Sequence, residues 1–76
     1  MSHEVRAEIT ANVWKVNVEV GSVVDVGTEV AILESMKMEI PVESPVAGTV
    51  TAVHVAPDSQ VHEGDPVCTV DDGSGS

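Results

Sequence analysis

Val18-Glu19-Val20-Gly21-Ser22-Val23-Val24-Asp25-Val26-Gly27-Thr28-Glu29-Val30 carries valine or glycine at every third position, as Val18, Gly21, Val24, Gly27 and Val30. The same spacing returns 37 positions later as Val55, Asp58, Val61, Gly64 and Val67. That shift also pairs Val5 with Val42, Val13 with Val50, Val16 with Val53, Leu33 with Val70 and Glu34 with Asp71. Valine is abundant, so single identities carry little weight. The shared spacing carries more, because Gly27 and Gly64 both fall just ahead of an apolar run. Two like halves, each a few strands with one apolar face, bury those faces against each other and form a flattened barrel or sandwich.

Outward from the repeat, apolar residues alternate or run in short stretches bounded by Gly, Pro, Asp and Ser, the strand pattern and not the helical one. Strands are expected over 5–10, 13–18, 29–35, 38–43, 48–55 and 66–70, with no helix. The halves are then about 2–34 and 39–71, joined by a hairpin that carries Lys37. The stretch Asp71-Asp72-Gly73-Ser74-Gly75-Ser76 reads as a polar, flexible tail, with the domain proper ending at residue 71 and the tail covering 72–76.

A chain of 76 residues permits one small core. Trp14 is the sole aromatic residue, and valine supplies most of the apolar side chains. β-branched side chains are stiff at χ1 and pack well on a pleated sheet. The formal charge of -10 argues against nucleic acid and anionic membranes as partners, and an acidic surface favours a monomer. No apolar run approaches the roughly 20 residues that span a bilayer, and Met1-Ser2-His3-Glu4 lacks the basic and apolar parts of a signal peptide. A cytoplasmic location is expected. A lone cysteine, Cys68, has no internal disulfide partner and reads as a small buried hydrophobe.

The chain has two lysines. Lys15 lies inside an expected strand, where alternation points it to solvent. Lys37 falls at the junction of the halves, between Ile32-Leu33-Glu34 and Ile40-Pro41-Val42, and so sits at a hairpin tip. A hairpin-tip lysine is ordinarily a solvated charge. Here Met36 and Met38 flank it, at a turn that normally carries Gly, Asn or Asp. Large apolar residues in that place either fold back over the barrel end or are read by a partner enzyme.

The stretch Glu34-Ser35-Met36-Lys37-Met38-Glu39 closely resembles the biotinyl attachment motif of biotin carboxyl carrier domains. The resemblance extends to the Val/Gly spacing before it, to Pro45-Val46-Ala47-Gly48-Thr49-Val50 after it, and to Glu63-Gly64-Asp65 near the end, nearly the whole chain. It is strongest to the small stand-alone biotin/lipoyl attachment proteins. The family implies an all-β fold, a flattened barrel of two antiparallel four-stranded sheets with quasi-two-fold symmetry. It implies that residues 1–71 are a biotinyl-attachment domain, that a biotin protein ligase joins biotin to Lys37, and that the ligase reads Glu34, Met36 and Met38. It implies a carrier and not an enzyme, moving a carboxyl group between biotin carboxylase and carboxyltransferase partners. Most relatives of this kind end a much longer carboxylase subunit through a Pro/Ala-rich linker, which this sequence lacks; it is expected to act as a unit of its own.

Elementary chemistry agrees with a passive acceptor. Roughly one ordinary lysine in a few thousand is a free amine at pH 7. A Schiff-base lysine needs burial or cationic neighbours, and this stretch offers Glu34 and Glu39. An activated acyl donor delivered by another enzyme suits it better. A lipoyl carrier also modifies a hairpin lysine, but typically one between Asp and Ala. A metal protein would draw on His3, His54, His62 and Cys68, none at recognised zinc-ligand spacing. A purely structural module leaves Met36-Lys37-Met38 without a cause.

Overall fold

In the computed structural model, which describes residues 1–73, the described residues form eight strands and no helix. They are β1 (Ser2–Arg6), β2 (Ala11–Val16), β3 (Val23–Val24), β4 (Glu29–Ser35), β5 (Met38–Glu43), β6 (Gly48–Val53), β7 (Gln60–Val61) and β8 (Pro66–Asp71). One antiparallel sheet runs β1-β8-β6-β3 and the other β5-β4-β2-β7. The body they enclose is elongated, 41 × 18 × 17 Å.

Shifting by 37 residues carries β2 onto β6 and β3 onto β7 residue for residue, and it turns one sheet order into the other. The loops follow suit. Val13 N donates to Ser59 O at 2.7 Å, as Val50 N does to Ser22 O at 2.8 Å; Gly64 N donates to Ala7 O and Gly27 N to Ser44 O, both at 2.8 Å. Even the bulges repeat, at Trp14 in β2 and Thr51 in β6. The quasi-two-fold repeat is thus a property of the backbone ladder as well as of the sequence.

The core lies between the sheets and is built in mates. Val5 and Val42, Val13 and Val50, Val24 and Val61, Val30 and Val67, Ala31 and Cys68, and Leu33 and Val70 are all buried. Short, mostly β-branched side chains fill the space between the sheets, and the core is complete without Phe or Tyr. Ser44, mate of the buried Ala7, is the one buried polar side chain among the described residues, and its hydroxyl donates to Val46 O at 2.6 Å. Prolines stand where a missing N–H does no harm: Pro41 in the edge strand β5, Pro66 at the first position of β8.

Several expectations are corrected. The first strand occupies Ser2–Arg6 and not 5–10, because Ala7 N turns aside to donate to Asp65 O at 2.9 Å and the chain then crosses to the other sheet. The strand expected over 13–18 is Ala11–Val16, and the one expected over 48–55 stops at Val53. Where the first ladder ends, Asn17 N and its mate His54 N each still donate to a carbonyl of β4 or β8, at 2.9 Å. Strands β3 and β7 were hidden inside the Val/Gly spacing, being only two residues each. Asp71 belongs to β8, and Asp72 accepts from Met1 N at 3.0 Å and pairs with His3 Nε2 at 2.7 Å, so neither is free tail. Residues 74–76 of the expected tail lie outside the described residues.

Candidate functional site

The β4–β5 hairpin closes with Ser35 opposite Met38, leaving Met36 and Lys37 as a two-residue loop. Both have positive φ, 51° and 66°, the signature of a type I′ turn. Such turns match the right-handed twist of the flanking strands but favour Asn-Gly, because a Cβ in the left-handed region costs roughly 1 kcal/mol or more. Met36 and Met38 are 92% and 65% exposed. They do not fold back over the barrel end. Directly below the turn Glu34 pairs with Glu39, and like charges facing across strands are unfavourable.

Three local rules are therefore broken within six residues: turn chemistry, exposure of large apolar groups, and charge pairing. Such concentrated violations mark function more often than folding. Lys37 itself is exposed, and among the described residues no hydrogen bond or ion pair engages its side chain. Its Nζ can be approached from solvent on a backbone fixed by a seven-residue strand on one side and a six-residue strand on the other.

Lys15 occupies a different setting. It lies within β2 opposite Ile32, and its Nζ sits 5.6 Å from the centroid of the Trp14 ring. The bulge at Trp14 turns both residues outward, so alternation holds on each side of it but slips by one residue across it. The residues weighed as metal ligands are scattered. His3 meets Asp72, His54 meets Thr69 Oγ1 at 2.9 Å, and His62 lies 3.7 Å from Asp65, while Cys68 is fully buried. Among the described residues no group of three or more His, Cys, Asp or Glu is placed to hold a metal ion. Burial pushes the Cys68 thiol up from its ordinary value, which suits a packing role. Among the described residues no helix is long and apolar enough to cross a membrane.

Beside the hairpin, Asn12, Val13, Trp14, Glu34 and Asp58 line an open depression that sequence reasoning missed. A usable signal was Asp58, which stands where the other half has Gly21 and shares its positive φ, 69° against 98°.

Residues 4–70 match the family of biotin-requiring enzymes, the biotin/lipoyl attachment domains. The chain belongs to that family. It is 46% identical over 61 residues to a biotin/lipoyl attachment protein of Bacillus subtilis, covering 80% of this chain and 84% of the relative. A Mycobacterium leprae homolog of the biotinylated protein TB7.3 is 43% identical over 70 residues, 92% of this chain and 99% of the relative. The fold is similar to part of the urea carboxylase of Kluyveromyces lactis, with a TM-score of 0.87 and 30% identity over 93% of this chain and 6% of that one. The all-β, two-sheet architecture is therefore the family's own.

Proposed function

We propose that this protein is a biotin carboxyl carrier and that Lys37 is its attachment point. The observation that carries the reading is the strained two-residue turn, which holds one unpaired lysine in solvent between two exposed methionines. The residues present fit a tethered acyl group. A primary amine standing clear of the barrel can form an amide, and the space around it is open.

A biotin protein ligase would deliver the activated carboxyl of biotin. The amide forms at Lys37 Nζ, the activating group leaves, and the amine proton passes to solvent. Met36 and Met38 offer the ligase apolar contact, and Glu34 supplies a carboxylate at the base of the hairpin. Bound biotin would supply the chemistry, holding a carboxyl group for transfer. The domain contributes reach and rigidity: tethering raises the local concentration of the carried group at each partner site it can span. Biotin carboxylase and carboxyltransferase subunits are the partners this implies, in the cytoplasm, with the carrier itself a monomer and non-catalytic.

The decisive experiment is intact mass after incubation with ATP and either biotin with a biotin ligase or lipoate with a lipoate ligase. One added biotinyl group is expected. Addition of lipoate alone would make the protein a lipoyl carrier, and no addition would remove the carrier reading.

A further inference from the structure

The depression on the outer face of the β5-β4-β2-β7 sheet, about 270 Å³, is lined by Asn12, Val13, Trp14, Glu34 and Asp58, of which Glu34 alone has a part in the attachment step. We propose that it is a resting site for the bicyclic ring of the biotinyl group carried on Lys37. The proposal rests on Lys37 being the acceptor.

The chemistry of the lining matches that ring. Biotin's ureido group has two N–H donors and one carbonyl acceptor, beside an apolar thioether ring. Glu34 and Asp58 accept hydrogen bonds, and the Asn12 amide can both donate and accept. Trp14, 47% exposed, gives an apolar face to which carbon and sulfur atoms bind favourably. Lys15, though near the indole, does not line the depression.

The groove is also preformed. Asp58 N donates to Val13 O at 2.8 Å and Val13 N donates to Ser59 O at 2.7 Å, so the 58–59 loop is clamped to β2 on both sides of Val13. The arm reaches it. Glu34 is three residues from Lys37, hence within about 11 Å of it, and Asn12 is directly opposite Glu34. The eleven bonds from the Lys37 Cα to the bicycle extend to roughly 14 Å at about 1.25 Å projected per bond.

The repeat supplies an internal control. Its backbone is duplicated at the far end of the barrel, but the mates of Asn12, Trp14, Glu34 and Asp58 are Thr49, Thr51, Asp71 and Gly21. Aromatic, amide and loop carboxylate occur together only at the lysine end. Folding requires the shared backbone; it does not require this set of side chains.

Trp14 makes the test direct, because as the sole aromatic it alone reports in intrinsic fluorescence. Full-length protein is compared before and after enzymatic biotinylation, with peptide mapping to verify the group on Lys37. Acrylamide quenching of Trp14 should fall about two-fold if the ring is docked around half the time, with NOEs between indole and bicycle protons. Asp58→Gly keeps a residue suited to the positive φ, as its mate Gly21 shows, and should return quenching of the biotinylated protein towards the unmodified value. Biotin on Lys37 with unchanged quenching and no such NOE would overturn the docking while leaving attachment intact. Protection that persists undiminished in biotinylated Asp58→Gly would also overturn it. Absence of biotin from Lys37 would overturn the attachment reading and this one together.

Discussion

Substituting Gly48 by alanine isolates how tightly β6 is locked against the end of β8. Gly48 opens β6, and a Cβ there would collide with the Asp71 carbonyl oxygen and stand 2.8 Å from its carbonyl carbon and 3.0 Å from the Asp72 Cα. All three are backbone atoms. Asp71 is paired with Ser2 on one side and Thr49 on the other, and Asp72 N donates to Met1 O at 3.0 Å, so the obstacle cannot swing away as a side chain would. Two effects compete. Alanine restricts the unfolded chain and by itself stabilises by about 0.4–1 kcal/mol. Overpacking against fixed backbone costs about 1–3 kcal/mol, and a contact this close belongs at the upper end. The net is a loss of about 2 kcal/mol, a fall in Tm of roughly 8–16 °C for a domain of this size. Gly64→Ala is the comparison: nothing lies within 4 Å of its Cβ site, but φ is +91°. Conformational strain alone, about 1 kcal/mol, should lower its Tm by roughly 4–8 °C. Thermal melts followed by circular dichroism give the ranking. If Gly48→Ala melts no lower than Gly64→Ala, the β6–β8 junction yields easily and the reasoning fails.

Four further outcomes are expected. Met36→Asn should stabilise by about 0.5–1 kcal/mol in denaturant titration, since Asn accepts positive φ, while slowing ligase-catalysed transfer; a destabilised variant would deny the strain at the turn. Cys68 should react with iodoacetamide at pH 8 at least about 100-fold more slowly in the native protein than in denaturant, because the thiol is buried and its pKa raised; comparable rates would place it at the surface. The contact between the chain ends should depend on pH in two directions. Asp72, the largest cause, raises the Met1 amino pKa, so that contribution is full below about pH 8 and is lost as pH climbs through the raised value. Asp71 is lowered, chiefly by the hydrogen bond from Gly73 N, so its contribution is present above about pH 4 and lost on acidification. Exchange protection of the Asp72 amide should therefore peak between those limits; a flat profile would show that the ends do not interact. Deleting residues 73–76 should leave biotin transfer within about two-fold, roughly 0.4 kcal/mol of barrier; a blocked reaction would bring the terminus beside the lysine.

The repeat was legible because every third position of the Val/Gly segments holds either a buried or half-buried valine or a turn residue with positive φ, and both demands restrict residue type. Gly27 and Gly64 meet the second, with φ of 88° and 91°. The hairpin was legible because Met36-Lys37 is a poor turn sequence in a place where the flanking strands force a turn. Strand ends were less so. Ile9 continues the alternation of Val5 and Ala7 in sequence, yet it is 39% exposed in a crossover. Alternation records which side chains could share a face, not where the ladder stops. Strands β3 and β7 escaped because two residues show no period at all. The groove beside Trp14 could not be read, since it joins β2, β4 and the 58–59 loop across a β-bulge, and bulges leave no mark in local pattern.

The central claim is that one of two lysines is the acceptor because the fold presents it. Incubation with a biotin protein ligase, ATP and biotin, followed by proteolysis and mass mapping, tests this for Lys37 and Lys15 in a single sample. The account predicts biotin on Lys37 alone, none on Lys15, and no incorporation into Lys37→Arg despite a native melting curve. Biotin on Lys15, or continued labelling of Lys37→Arg, would contradict it.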